Sequence, residues 1–252
     1  MRPDTWPMFL EPAIWGFFFE GLRETIYLAL VSVALSFVLG LLFALGRLSR
    51  RRWLRWPSIF YIEAVRALPV LLLIVYFGIK GSALFRPIFG PDFELPRFWA
   101  GVLGLSMYTS AVLAEIIRAG IVSLPRGQTE AARALGLSHA QTMRSVILPQ
   151  ALRLMVPAMM AQLTTVIKDT SLVGTIGIFE LLRQGRTIYT QFFNPVEVLL
   201  IVATIYFVIC FALSQASRRL ELGYVPKAAR IKIRDIALRD ELRPWPRHQP
   251  SP

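Results

Sequence analysis

Residues Thr25 to Leu45 and Val198 to Ser217 each run without a single Asp, Glu, Lys or Arg, and no other feature limits the fold of this chain so severely. About 20 apolar residues, rising 1.5 Å each, span the ~30 Å hydrocarbon core of a bilayer as a helix. Inside lipid the backbone must satisfy its own hydrogen bonds, so such a stretch is helical or it is not there. The chain as a whole agrees: 55% of its 252 residues are hydrophobic and 17% are charged, where a soluble domain has about a quarter charged.

Three further stretches read as spans: about 57 to 79, which contains Glu63 and Arg66; about 98 to 118, with Glu115 and Arg118 crowded at its end; and 149 to 167. That makes five. The run from Thr170 to Phe179 is too short to span and reads as a re-entrant or surface helix. The expected class is an all-α integral membrane protein.

A net charge of +12 invites a nucleic-acid reading, but the placement of the charges points to a membrane instead. Of the 28 Lys and Arg, 19 fall in three places: Arg47 to Arg55, Arg118 to Arg153, and Arg218 onward. Those segments alternate with the other loops, so the positive-inside rule puts them in the cytoplasm, with the amino terminus outside and the carboxyl terminus inside. Residues 1 to 20 carry Asp4, Glu11 and Glu20 among Trp and Phe. They read as an aromatic interfacial segment rather than a cleavable leader, which is expected to open basic. The membrane body is expected over 21 to 219. A charged tail over 220 to 252, attracted to anionic lipid headgroups, follows it.

Catalytic and metal constellations are missing from the sequence. No GxxxxGK[ST] occurs, and "GIKGS" lacks the spacing that cradles a phosphate. His139 and His248 are the only histidines, and Cys210 is the only cysteine and lies in the last apolar run. No enzyme chemistry, metal site or disulfide follows from such a set.

Between the third and fourth spans lies "TEAARALGLSHAQTMRSVILP". Glu130 to Leu135 is rich in strong helix formers, and Gly136 is suited to end that helix in the left-handed conformation. Ser138 and Gln141 have capping-box spacing, so a second short helix starts there and runs to Pro149, which opens the next span. Glu130 falls in the first turn of its helix on this reading, where it complements the helix dipole.

Glu130-Ala131-Ala132, then Gly136, then Val146-Ile147-Leu148-Pro149 resembles the cytoplasmic "EAA" loop of ATP-binding-cassette (ABC) importer permeases. "YIEAVRALPVLLLIVYFG", "AEIIRAGIVSLPRGQTEAARALGLS", "LPQALRLMVPAM" and "KDTSLVGTIGIFELLRQG" are similar to segments of the polar amino acid branch, the histidine-, glutamine- and glutamate-type permeases. The resemblance implies the type I importer permease fold, with Glu130, Ala131, Ala132 and Gly136 coupling to a separate ATPase subunit that binds ATP and Mg. It also implies a second permease subunit, the same or homologous, a solute-binding protein on the outer face, and a bacterial inner membrane. Arg66-Ala67-Leu68-Pro69 departs from the family's Arg-Gly-Thr-Pro, and Ala161 from its asparagine. The "RALPVLL" form leans towards glutamate or aspartate as substrate.

Two charged pairs within the spans have two readings each, and Glu115 and Arg118 repeat the spacing of the first and read as a structural pair. Glu63 and Arg66, three residues apart, form an ion pair that locks the second span, or Arg66 contacts substrate. Lys168 and Asp169 anchor the outer end of the fourth span or belong to the substrate path. A rival function, an ion-gradient-driven secondary transporter, would use Glu63 or Glu115 as a proton site, although no inverted repeat accompanies them.

Overall fold

The structure, a computed structural model, describes residues 6–224. Within them the chain forms a bundle of helices with no strand. After a 3₁₀ turn at Trp6–Leu10 come α1 (Pro12–Leu48), α2 (Arg52–Ala67), α3 (Val70–Phe89), α4 (Arg97–Val122), α5 (Arg126–Ala134) and α6 (His139–Thr142). A π-helical turn, Met143–Ile147, leads into α7 (Leu148–Asp169), a 3₁₀ turn extends it over Thr170–Ile176, and α8 (Leu181–Phe192) and α9 (Pro195–Tyr224) complete the bundle. Most of the expected tail, 225 to 252, lies outside the described residues, as do residues 1 to 5 of the amino-terminal segment; α1 already begins at Pro12.

Five stretches among the described residues are helical, long and apolar enough to cross a membrane: Pro12–Leu48, Val70–Phe89, Arg97–Val122, His139–Ile176 and Pro195–Leu220. The number agrees with the sequence reading, but the second span is built differently. Expected as one helix over 57 to 79, it is broken at Leu68, whose backbone is extended with ψ 143°. Pro69 is the cause. It has no N–H to give to Val65, its ring blocks the α conformation of the residue before it, and the Leu68 N–H bonds Val65 O instead, at 3.2 Å. Helix α3 is the apolar span. Helix α2 is amphipathic: Ser58, Ile62 and Val65 turn inward at i, i+4, i+7 spacing while Trp53, Trp56 and Phe60 are exposed.

A second difference lies at Pro149. No break occurs there, and the helix runs from His139 through the π turn into α7. The Leu148 N–H bonds Met143 O, five residues back. This wider turn sits where the ring of Pro149 would otherwise press on the preceding carbonyls. The short stretch after α7 is no separate helix either; the 3₁₀ turn continues α7 and stops at Gly177, whose φ is +87°. Helix α8, which no apolar run announces, buries Leu181, Gln184, Gly185 and Ile188.

Helix α4 is the centre of the bundle. Of its most apolar window 67% is buried, against 11% for α9, which presents Phe207, Val208 and Phe211 outward. Small residues make this possible. A Cβ on Gly104 would lie 2.7 Å from the Ile74 Cα, and one on Gly40 3.0 Å from the Ser110 carbonyl, so α3 and α1 touch α4 nearly backbone to backbone. Serines stitch the seam: Ser106 Oγ donates to Ser32 O at 3.1 Å and Ser36 Oγ to Ser106 O at 3.3 Å. Such contacts hold helices together in lipid, where burial of apolar surface brings no gain.

Gly104→Val is expected to force α3 off α4 and to cost roughly 1–3 kcal/mol by overpacking. Gly16→Ala, at a site with nothing within 4 Å, is neutral. Thermal unfolding of the detergent-solubilised protein, followed by circular dichroism, distinguishes the two.

Candidate coupling loop and charged path

Helix α4 ends at Val122, and only Ser123, Leu124 and Pro125 separate it from α5. The loop therefore continues the most buried helix of the bundle. Its turn is built as the local sequence predicts: Gly136 sits at φ +81°, its N–H bonds Arg133 O at 2.9 Å, and the Leu137 N–H bonds Ala132 O at 3.2 Å. This is a Schellman closure, which needs the left-handed residue. Two residues on, the Gln141 N–H donates to Ser138 Oγ at 3.3 Å and the Ser138 N–H to Gln141 Oε1 at 2.9 Å, a complete capping box. Gln150 ties the loop to α7 by donating to Gln128 Oε1 and Val146 O.

Glu130, Ala131 and Gly136 are exposed, and Leu135 beside them is 83% exposed. Ala132 is not part of that surface, being 3% exposed and turned inward. Helix α5 begins at Arg126, four residues earlier than expected, so Glu130 lies beyond the first turn and is not placed to complement the helix dipole.

The expected Glu63–Arg66 pair does not form. Glu63 accepts from Arg47 at 2.9 Å, and the same Arg47 Nη1 stands 3.2 Å from Glu115, which also binds Arg118. Arg66 is exposed and, among the described residues, has no carboxylate in ion-pair range. The reason is tertiary. Arg47 in the last turn of α1 reaches α2 and α4 together, and offers Glu63 a partner that its own helix does not better. The Glu115–Arg118 pair, expected from the same spacing, is present, with Arg118 Nε at 3.0 Å from both carboxylate oxygens. This chain of four charges sits at the loop end of the bundle.

Lys168 and Asp169 also part company. Adjacent residues on a helix do not face each other; Lys168 is exposed and Asp169 half-buried. Lys168 lines two cavities between α7 and α9, one of about 390 Å³ with Ser171, Leu182 and Tyr206, the other of about 410 Å³ with Thr164, Thr165 and Arg218. Arg66 lines neither, so the three residues expected along a substrate path do not share a wall.

Glu180 was passed over in the sequence. It is fully buried, caps α8 by accepting from the Leu182 and Arg183 amides at 2.7 and 2.8 Å, and accepts from the Tyr206 hydroxyl at 3.2 Å. Burial pushes its carboxyl above the usual carboxylate range, and those hydrogen bonds together with the Arg183 charge pull it back. Next to it, the Leu181 N–H bonds Thr25 Oγ1 at 3.1 Å, so α1, α8 and α9 meet here. An N-cap signal was legible, a carboxylate followed by a helical stretch, but nothing local reveals its burial.

Glu180→Ala removes the cap and is expected to cost about 1–2 kcal/mol or more. Glu115→Gln, which leaves Arg47 and Arg118 short of a partner, destabilises more than Glu63→Gln, and Arg66→Gln changes little. Midpoints of thermal unfolding for the four variants in one detergent rank them; Arg66→Gln falling beside Glu115→Gln would contradict the geometry.

Residues 36–223 match the family described as binding-protein-dependent transport system inner membrane component. The chain is 40% identical over 221 residues to the glutamate transport system permease protein GluD of Corynebacterium glutamicum, covering 88% of this chain and 77% of that one. It is 37% identical over 212 residues to the probable glutamine ABC transporter permease protein GlnP of Bacillus subtilis, covering 82% and 93%. Among solved structures, that of an amino acid ABC transporter with histidines superposes with a TM-score of 0.79 at 33% identity, covering 88% of this chain and all of that one. By the match over three-quarters of its length and by the fold around α4, the chain belongs to the inner-membrane permeases of binding-protein-dependent ABC importers.

Proposed function

We propose that this chain is the permease subunit of an ATP-driven importer for a polar amino acid, with acidic amino acids favoured. The observation that carries the coupling half of the proposal is the exposed knuckle of Leu135 and Gly136 at the end of α5, a helix that three linker residues join to α4. A partner ATPase, which binds ATP and Mg, seats that knuckle. When two such ATPases close, α5 and α6 move, and the motion enters the bundle through α4 and α7, the two helices that the loop joins. A second permease, the same or homologous, supplies the other half of the path, and a solute-binding protein delivers substrate at the opposite end. The amino terminus lies outside and the carboxyl terminus in the cytoplasm.

The relative named for glutamate, together with the "RALPVLL" stretch, supports the acidic lean. A gradient-driven transporter has less support: Glu63 and Glu115, its candidate proton sites, are both engaged by Arg47.

Leu135→Glu and Gly136→Asp are expected to leave membrane insertion intact. In proteoliposomes with the ATPase and binding protein, they reduce ATP-driven uptake of labelled amino acid by about tenfold or more, the second because a non-glycine residue at positive φ costs roughly 1–3 kcal/mol. Uptake at the wild-type rate by both variants removes the coupling role.

A further inference from the structure

At the end of α4 remote from the loop, Arg97 is the first helical residue, about 39 Å from Val122 along a 26-residue helix. It borders a cavity of about 430 Å³ whose wall is made by Gly78 and Ile79 of α3, Thr175, Gly177 and Arg183. Two guanidinium groups meet one backbone turn here. A Cβ on Gly177 would lie 2.6 Å from Arg97 Nη1, so only glycine lets that side chain lie against the turn. Arg183 is held at the same turn: its Nη1 donates to Gly174 O at 3.0 Å, and its guanidinium carbon stands 5.6 Å from the centre of the Phe179 ring.

Arg183 acts on the buried Glu180 carboxylate without forming an ion pair with it, and Arg97 has no carboxylate in ion-pair range among the described residues. The ion pairs among the described residues involve other groups, and Arg97 makes no hydrogen bond among them. The nearby carboxylate, Glu180, is fully buried and spends its oxygens on the Leu182 and Arg183 amides and on Tyr206. Arg183 uses one of its five donors on Gly174, which leaves several for a ligand. Interfacial anchoring explains a lone arginine at a helix end. It does not explain two of them lining one cavity, both set against the turn from Gly174 to Gly177.

We propose that this cavity is an entry site for an anionic amino acid, in which Arg97 and Arg183 receive the side-chain carboxylate. The inference rests on the importer reading, which places this end of α4 outside. A cavity of this size accommodates an amino acid. Its two positive charges, neither held in an ion pair, attract a net anion, do little for a zwitterion such as glutamine, and repel arginine. Arg66 and Lys168, the cations that the sequence offers for a substrate path, do not line it.

The test places a cysteine at Thr175, which lines the cavity while leaving both arginines in place, in a Cys210→Ser background. The complete importer is reconstituted in phosphatidylcholine vesicles. A sulfonate-bearing methanethiosulfonate should modify Thr175→Cys roughly tenfold faster than a trimethylammonium-bearing one, in keeping with electrostatic focusing in a charged cleft. L-glutamate should slow that reaction and L-glutamine at equal concentration should not. Arg97→Gln, at a side chain without hydrogen bonds among the described residues, should abolish the preference and raise the half-saturating glutamate concentration for uptake by roughly tenfold. Equal modification rates, protection by glutamine as well as glutamate, protection by added phosphatidylglycerol alone, or unaltered glutamate uptake in Arg97→Gln each overturn the proposal. Absence of ATP-driven amino acid uptake by the unmutated importer instead defeats the function proposed above, and the thiol chemistry still reports on the cavity.

Discussion

A helix can occupy the middle of a membrane bundle only if its neighbours come close enough for dispersion and interhelical hydrogen bonds to hold it, because lipid tails are as apolar as its own side chains. Helix α4 meets that condition with Gly104 under the backbone of α3, Gly40 of α1 against its Ser110 carbonyl, and a serine seam to α1. The rest of the architecture is referred to this axis. Helix α2 is attached to it through the Tyr61 hydroxyl, which lies 2.8 Å from Ser110 Oγ and donates to Met107 O at 3.0 Å. Helix α7 packs on it where Met155 fills the space beside Gly120.

Because α4 is both the axis and the direct continuation of the loop, a displacement of α5 has little slack to absorb it. Three residues separate the two helices, the Schellman turn and the capping box fix the knuckle, and Gln150 links it to α7. The charge cluster of Arg47, Glu63, Glu115 and Arg118 lies at the same end and joins α1, α2 and α4. At the far end α4 contributes Arg97 to the cavity it shares with Arg183. One rigid element thus carries features at both ends, a geometry suited to transmitting motion along the membrane normal.

Features set within a few residues were readable in advance. Gly136 at positive φ and the Ser138–Gln141 box depend on backbone and side chains no more than five positions apart, and the structure has both. The break before α3 was equally local, since Pro69 imposes it, yet the apolar run on either side concealed it. Glu63 shows the opposite case. Helical spacing offered Arg66, but packing brought in Arg47, sixteen residues away across a turn between helices. Helical spacing alone names candidates and cannot exclude a better partner from another helix.

What the sequence determined by itself is the solvent and the count: charge-free runs demand lipid, lipid demands helices, and their lengths give five crossings. It also determined the punctuation, because prolines, glycines and capping serines act on their own backbone. Tertiary structure alone decided that Glu63 meets Arg47 and not Arg66, that Glu180 is buried at the junction of α1, α8 and α9, and that Arg97 and Arg183, 86 positions apart in the chain, border one cavity. The reason is that a polar group's environment depends on its neighbours in space, and in a helical bundle those neighbours come from elements far apart in the chain.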